Sequence, residues 1–193
     1  MRICVYGAAS PTIDKEYIDL VEKMGQEMAN RGHSLVFGGG GNGLMGAAAR
    51  GVKSGGGYIL GVIPKFFDEE KVEAICDFCD ELIQPDTMRQ RKQLMEDNAD
   101  AFIIVPGGIG TYEEFFEILT LKQLCRHNKP IALYNIMEYY DDINYAMEQA
   151  MKKNFIRDNC KELYYVTDKL DDLLRYVETP VNKIRTVKEL IDG

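Results

Sequence analysis

Two glycine-rich turns have the residue types and spacing that most directly predict chemistry. They are Gly38-Gly39-Gly40-Gly41-Asn42-Gly43 and Pro106-Gly107-Gly108-Ile109-Gly110-Thr111. Each lies between a short apolar run and a longer amphipathic one, which indicates a strand, a turn and a helix. Glycine lets a phosphate approach the backbone, and a helix N-terminus offers it unpaired N–H groups and a positive dipole end. The two turns therefore predict a phosphate site, with Gly39, Gly40 and Gly43 as candidates in the first.

The two turns do not match the common nucleotide-binding fingerprints. No Gly-Lys-Ser/Thr follows the glycines, so neither is a P-loop, and the strand that ends at Ile63 lacks the acidic residue of a dinucleotide site. A single glycine turn is often purely structural. The occurrence of two such turns after core strands favours the phosphate site.

The helix expected after the second turn carries a carboxylate toward the core. Glu114 shares a stripe with Ile118 and Leu121, whereas Glu113 aligns with Glu117 on another face. We expect the helix dipole to keep Glu114 ionised. The alternative is that Glu114 only complements that dipole, as surface glutamates often do.

The helix expected over 88–97 places two cations on its inward stripe. Met88, Arg91, Lys92 and Met95 follow the spacing i, i+3, i+4, i+7. Lysine and arginine are rarely buried unless they are paired, so this spacing predicts an anionic partner beside the phosphate-binding edge. The alternative is that both stems cover the core while the charged ends reach water.

Short apolar runs alternate with amphipathic ones along the whole chain, which is typical of βαβ units around a parallel sheet. Strands are predicted at 2–6, 34–37, 58–63, 81–84, 101–105, 131–134 and 163–166, and helices at 13–30, 44–53, 88–97, 111–126, 139–152 and 168–176. Residues 65–80 read as a loop with a short helix. The expected fold is an α/β, Rossmann-like, three-layer single domain over residues 1–193, with a peripheral tail from about 180.

Composition narrows the classes of function. The net charge of −8 over 193 residues disfavours nucleic acid as a partner, and no apolar run is long enough to span a membrane. Five cysteines at irregular spacing and the absence of a signal-peptide pattern predict reduced thiols in a cytoplasmic protein. Two histidines make a histidine-built metal site improbable, and the lone pair Cys76 and Cys79 leaves zinc as a weak alternative.

Four motifs in order resemble the LOG ("lonely guy") family of cytokinin riboside 5′-monophosphate phosphoribohydrolases, over about residues 2–157. They are Gly39-Gly40-Gly41-Asn42-Gly43-Leu44-Met45-Gly46, Gly61-Val62-Ile63-Pro64, Met88-Arg89-Gln90-Arg91-Lys92 and Pro106-Gly107-Gly108-Ile109-Gly110-Thr111-Tyr112-Glu113-Glu114. The resemblance implies that Arg91 and Glu114 are catalytic. It also implies a nucleotide site lined by Lys92, Gly107, Gly108, Gly110, Thr111 and Thr120.

The same resemblance implies hydrolysis of the bond between an adenine-type base and ribose 5-phosphate, without metal or organic cofactor, in a homodimer. Arg89 stands where the family commonly has histidine, and Ala8 and Ala9 stand where it commonly has serine. The segment 66–86, which the resemblance expects to help close the base pocket, has no clear counterpart in the family.

Two functions other than hydrolysis are possible on this scaffold, a carrier and a lysine decarboxylase. A carrier could hold a nucleotide or nucleotide-like cofactor on the same scaffold without cleaving it, and only the inward Arg91 and Glu114 favour an enzyme over it. Lysine decarboxylase, a label once given to many members of the family, is rejected. Pyridoxal-phosphate chemistry requires a Schiff-base lysine and a larger pocket than such a chain normally builds.

Overall fold

The computed structural model describes residues 1–180 and 186–192, and in these residues seven strands form one parallel sheet. The strands are β1 (Arg2–Tyr6), β2 (Ser34–Phe37), β3 (Ile59–Val62), β4 (Glu81–Ile83), β5 (Ala101–Ile104), β6 (Ile131–Tyr134) and β7 (Tyr165–Thr167). Every residue of β3, β5 and β6 is buried, as expected for strands covered on both faces. The predicted α/β fold with a parallel sheet is confirmed.

Helices cover both faces of this sheet. They are α1 (Lys15–Asn30), α2 (Gly43–Ser54), α3 (Lys65–Glu69), α4 (Met88–Asp97), α5 (Ile109–Gln123), α6 (Asp141–Lys152) and α7 (Leu170–Glu178). One core cluster joins the sheet to α1, α2 and α7, and the other joins it to α4, α5 and α6. The three-layer arrangement follows from these two clusters.

Helix α4 has the predicted bounds because a capping box fixes its start. The Thr87 hydroxyl accepts a hydrogen bond from the Gln90 N–H at 3.2 Å, and the Gln90 side chain accepts one from the Thr87 N–H at 3.2 Å. Helix α5 begins at Ile109, two residues before the predicted start, so Ile109 and Gly110 belong to its first turn. That difference determines which N–H groups point out of the helix end.

The strand order is β4-β3-β2-β1-β5-β6-β7, so the direction of the connections reverses between β1 and β5. In such sheets ligands collect at the carboxyl ends of the two strands where the order reverses. There the Ala8 N–H donates to the Pro106 carbonyl oxygen at 3.1 Å and ties together the loops that follow β1 and β5. The topology alone therefore predicts that a ligand site lies at this edge of the sheet.

Of the C-terminal tail that the sequence predicts to be peripheral, residues 181–185 and 193 lie outside the described residues, and Leu190 contributes its side chain to the core. Leu190 is buried in the cluster beneath α5, and the Cys160 thiol donates to the Leu190 carbonyl oxygen at 3.6 Å. Across the residues that the structure describes, no helix combines the length and apolar character needed to cross a membrane.

Candidate active site

A cavity of about 330 Å³ opens at the carboxyl edge of the sheet, where the strand order reverses. Its walls come from residues 6–10 after β1, Gly38 and Gly40 after β2, Arg91 of α4, and the first turns of α5. Within α5, Gly110, Thr111 and Glu114 face it. The structure thus brings together the segments that the glycine turns and the charged stripes had indicated separately.

The start of α5 has backbone N–H groups without a protein acceptor. Among the described residues, no acceptor takes the N–H groups of Ile109, Gly110 or Thr111. A Cβ placed on Gly108 or Gly110 would meet nothing within 4 Å, so the backbone at both positions borders open space. Free N–H groups and the positive end of a 15-residue helix together suit a phosphate.

The first glycine turn does not offer the same free donors. The N–H groups of Leu44 and Met45, at the start of α2, donate to the Ala8 carbonyl oxygen at 2.8 and 3.2 Å, and the Gly41 N–H donates to Ala74 at 2.7 Å. The loop after β1 thus takes two of the donors at the start of α2, and phosphate binding at this helix end stays a prediction.

The three candidate glycines of this first turn meet different structural requirements, namely a positive φ or space for a neighbouring side chain. Gly39 and Gly43 adopt φ of +80° and +56°, and neither lines the cavity. Gly40 does line it, and a Cβ there would lie 2.9 Å from Oε2 of Glu73. Of the three glycines proposed as ligands in this turn, the structure thus places only Gly40 at the site.

Arg91 is held by the ends of two neighbouring strands. Its Nε donates to the Val62 carbonyl oxygen at 3.1 Å and its Nη2 to the Gly38 carbonyl oxygen at 3.3 Å. The guanidinium also lies 5.5 Å from the centre of the Phe67 ring. Only 11% of the side chain is exposed, so the charge is fixed in place rather than extended into water.

Glu114 faces this guanidinium across the floor of the cavity. Its Oε1 lies 3.9 Å from Nη1 of Arg91, and 12% of the Glu114 side chain is exposed. Burial raises the pKa of Glu114 to about 7, although the Arg91 charge acts in the opposite direction. The helix dipole was expected to keep Glu114 ionised; burial opposes this and brings the pKa of its carboxyl group close to neutral.

Lys92 has its anionic partners within the protein. Its Nζ lies 2.5 Å from Oε1 of Glu113 and 2.6 Å from Oε2 of Glu117, on the side of α5 that faces α4. Lys92 does not line the cavity. The sequence predicted an anion at the phosphate-binding edge as its partner. In the structure two glutamates pair with it instead, dock α4 on α5 and so hold Arg91 opposite Glu114.

Two further predicted site residues lie apart from the cavity. Thr120 is exposed, about 14 Å along the axis of α5 from Thr111. Gly107 borders a second cavity of about 300 Å³, and its carbonyl oxygen accepts a hydrogen bond from the Tyr139 hydroxyl at 2.7 Å. Tyr17 lines this second cavity, edge-to-face with Tyr139 at 6.4 Å between ring centres.

Sequence reasoning did not single out four residues that line the main cavity. They are Tyr6, Ser10, Phe67 and Glu73. Phe67 and Glu73 belong to the segment 66–86, which was expected to help close the base pocket but has no helical or alternating period to mark individual residues. Tyr6 reads as a core strand residue and stacks on Phe102 at 6.0 Å, so nothing in its context distinguished it.

Comparisons with known proteins show the family of this chain. A family profile described as "Possible lysine decarboxylase" matches residues 45–177. A cytokinin riboside 5′-monophosphate phosphoribohydrolase of Mycobacterium tuberculosis is 39% identical over 90% of this chain and 91% of its own length. One from Arabidopsis thaliana is 35% identical over 94% of this chain and 84% of its own. The chain belongs to the LOG family.

A solved structure extends the likeness of fold beyond the LOG family. The molybdenum cofactor carrier protein of Chlamydomonas reinhardtii superposes with a TM-score of 0.66 over 92% of this chain and 95% of its own, at 20% identity. At that identity the likeness shows a common fold and no more.

The lining of the main cavity does not suit the decarboxylase description of the family profile. No lysine is among the described residues that line it, so a Schiff base has no amine there.

The described part of this LOG-family chain contains no group of three or more His, Cys, Asp or Glu side chains arranged to hold a metal ion. The Cys79 thiol hydrogen-bonds to Cys76 and lowers the pKa of the Cys76 thiol to about 7.

The raised pKa of Glu114 predicts a pH-dependent difference in stability between wild type and Glu114→Gln. A raised native pKa stabilises the fold at low pH, and this stabilisation is lost as pH rises from about 4.5 to about 7. Relative to Glu114→Gln, wild type should therefore lose about 2–3 kcal/mol of unfolding free energy between pH 5 and 9. Urea denaturation at several pH values measures this, with the more exposed Glu113→Gln as control. Parallel curves for Glu114→Gln and wild type would contradict the buried-carboxylate assignment.

Proposed function

We propose that this LOG-family protein hydrolyses the N-glycosidic bond of an adenine-type nucleoside 5′-monophosphate, AMP or a cytokinin riboside 5′-monophosphate, to free base and ribose 5-phosphate. The observation that carries the proposal is a single cavity that contains the free N-terminus of α5 and the buried pair Arg91 and Glu114. The names of the Mycobacterium tuberculosis and Arabidopsis thaliana relatives support the same reaction.

The phosphate binds at the start of α5. The N–H groups of Ile109, Gly110 and Thr111 take the phosphate oxygens, with Gly108 leaving the approach open. Glu114 follows in the same helix, one turn beyond Thr111, so a phosphate held at the helix end places the ribose near its carboxylate. Binding energy from the phosphate thus positions a reacting carbon that the phosphate itself does not touch.

The bond between C1′ and the base breaks with positive charge developing on the ribose ring. An ionised Glu114 stabilises this oxocarbenium character, and it accepts a proton from the attacking water. Its pKa of about 7 suits a base that works near neutral pH. Arg91 orients the carboxylate and offers its fork of N–H groups to ribose hydroxyls.

Several finer points belong to the same proposal. The reaction uses neither a metal nor an organic cofactor, the protein works in the cytoplasm, and neither nucleic acid nor a membrane is a partner. Arg91 and Glu114 are catalytic, and Gly40, Gly108, Gly110 and Thr111 contact the substrate. The paired Lys92 acts by docking α4 on α5 rather than by touching the phosphate.

Nucleotides should be cleaved far faster than nucleosides. We expect the purified protein to release adenine from AMP or an N6-substituted AMP in the presence of EDTA, and to act on adenosine at least about 100-fold more slowly, because adenosine forgoes the helix-end contacts. Chromatographic detection of free base and ribose 5-phosphate measures both rates. Equal rates on AMP and adenosine would refute the phosphate site, and tight binding without cleavage would favour a carrier.

Removing the charge of Glu114 should greatly slow turnover and leave the binding of AMP almost unchanged. We expect Glu114→Gln to lower kcat for AMP by about 10²–10⁴-fold, because the variant cannot stabilise the oxocarbenium ion or accept a proton. Its dissociation constant for AMP, measured by calorimetry, should change little. Glu113→Gln is the matched control and should turn over nearly as wild type, since Glu117 still pairs with Lys92. Full activity in Glu114→Gln would mean that Glu114 only complements the helix dipole. That result would favour a carrier function over hydrolysis.

We also propose that the chain forms a homodimer, as the family resemblance implies. Exposed apolar side chains support this: Ile109 and Phe116 of α5 and Tyr145 of α6. Light scattering at micromolar concentration should give twice the chain mass. A monomer under those conditions would refute the dimer without touching the proposed reaction.

A further inference from the structure

The proposed reaction leaves one chemical requirement without a residue. A purine that departs as an anion is a poor leaving group, so its ring nitrogen must gain a proton as the bond to C1′ breaks, and a positioned acid supplies about 10²–10⁴-fold in rate. Glu114 cannot meet this need while it accepts the proton of the attacking water. Arg91 does not lose its proton in proteins. The inference below rests on the proposed function and concerns this missing acid.

Glu73 is a second carboxyl group that lines the same cavity as Arg91 and Glu114. The absence of a Cβ on Gly40 makes room for it, because that Cβ would lie 2.9 Å from Oε2 of Glu73. Its carboxyl group makes no hydrogen bond or ion pair with any residue that the structure describes. Unlike Lys92 and Arg91, Glu73 thus has its polar atoms available for a ligand.

The backbone that carries Glu73 is fixed on both sides. The Ala74 carbonyl oxygen accepts a bond from the Gly41 N–H at 2.7 Å, and the Cys76 N–H donates to the Gly39 carbonyl oxygen at 2.8 Å. On the other side, the Val72 N–H donates to the Phe67 carbonyl oxygen at 2.9 Å. These bonds join the segment to the first glycine turn and direct Glu73 into the cavity.

The surroundings of Glu73 favour its protonated form. Burial raises the pKa of Glu73 above its ordinary value, against the opposing influence of the Arg91 charge. Arg91 and Glu114 are the charged groups that interact with it across the cavity. Phe67 comes from the same segment and lines the same cavity, which gives the wall around Glu73 an aromatic surface suited to a purine ring.

We propose that Glu73 is the general acid that protonates the departing base. As the C1′–N bond breaks, its electron pair passes to the base, and the carboxyl proton of Glu73 moves to a ring nitrogen. The water oxygen bonds to C1′, and Glu114 takes the water proton. One proton then returns from Glu114 to Glu73 through solvent. The two carboxyl groups thus divide acid and base roles, as they do in inverting glycosidases.

A comparison of leaving groups tests this role in Glu73→Gln. The variant should lower kcat for AMP by about 10²–10⁴-fold, with KM for AMP within about threefold of wild type. On 6-chloropurine riboside 5′-monophosphate, whose electron-poor base departs with less need of a proton, the loss should be at most about tenfold. Glu70→Gln, an exposed position in the same segment, is the control and should match wild type on both substrates.

The pH profile of kcat/KM for AMP is a second readout. Wild type should lose activity with rising pH as Glu73 gives up its proton, and Glu73→Gln should lack this high-pH limb. An equal loss on both substrates, an unchanged kcat, or a high-pH limb retained in the variant would each overturn the acid role. If wild type cleaves neither substrate, the proposed function itself falls. A wild type that is active, with an unaffected Glu73→Gln, overturns only this inference.

Discussion

The withdrawal of Glu114 from water beside Arg91 is the constraint on which the rest of the site depends. Burial raises the pKa of this carboxyl group to about 7 even with the Arg91 cation held close to it. The cation is held by carbonyl oxygens of Val62 and Gly38, so the spacing of β2 and β3 sets its position. A shift of either strand end therefore changes the acidity of Glu114 without any change in composition.

The two glycine turns have similar sequences but different structural roles. The second leaves the end of α5 free for an anion. The first gives its donors to the loop after β1 and to the segment 70–80, and Gly40 makes room for a carboxyl group. In the proposed reaction, phosphate binding and contact with the base fall on opposite sides of the reversal in strand order. The ribose would then lie between them, at the buried ion pair.

Periodicity predicted the parts of the site that lie on helices. Because α4 and α5 are regular, the 3.6-residue spacing correctly placed Arg91 and Glu114 toward the core. It could not show that Glu113 and Glu117 pair with Lys92, because that contact depends on how α4 docks against α5. The raised pKa of Glu114 was missed for the same reason, since burial by other elements causes it. Phe67 and Glu73 lie in a segment whose order comes from hydrogen bonds to a glycine turn, which no local pattern encodes.

The antiparallel bridge between Gly40 and Ile75 has a consequence for how such proteins diversify. The bridge is made by backbone atoms alone, so the side chains of Glu73 and Ala74 can be exchanged without loss of its hydrogen bonds, whereas the buried Cys76 also anchors the segment 70–80 in the core. Substitutions at these positions can then change the proposed contacts with a base while the end of α5, the proposed phosphate site, is left unchanged. Insertions in the segment are tolerated if the bonds of Gly39 and Gly41 are kept. Mutational tolerance should therefore differ sharply between the two walls of one cavity.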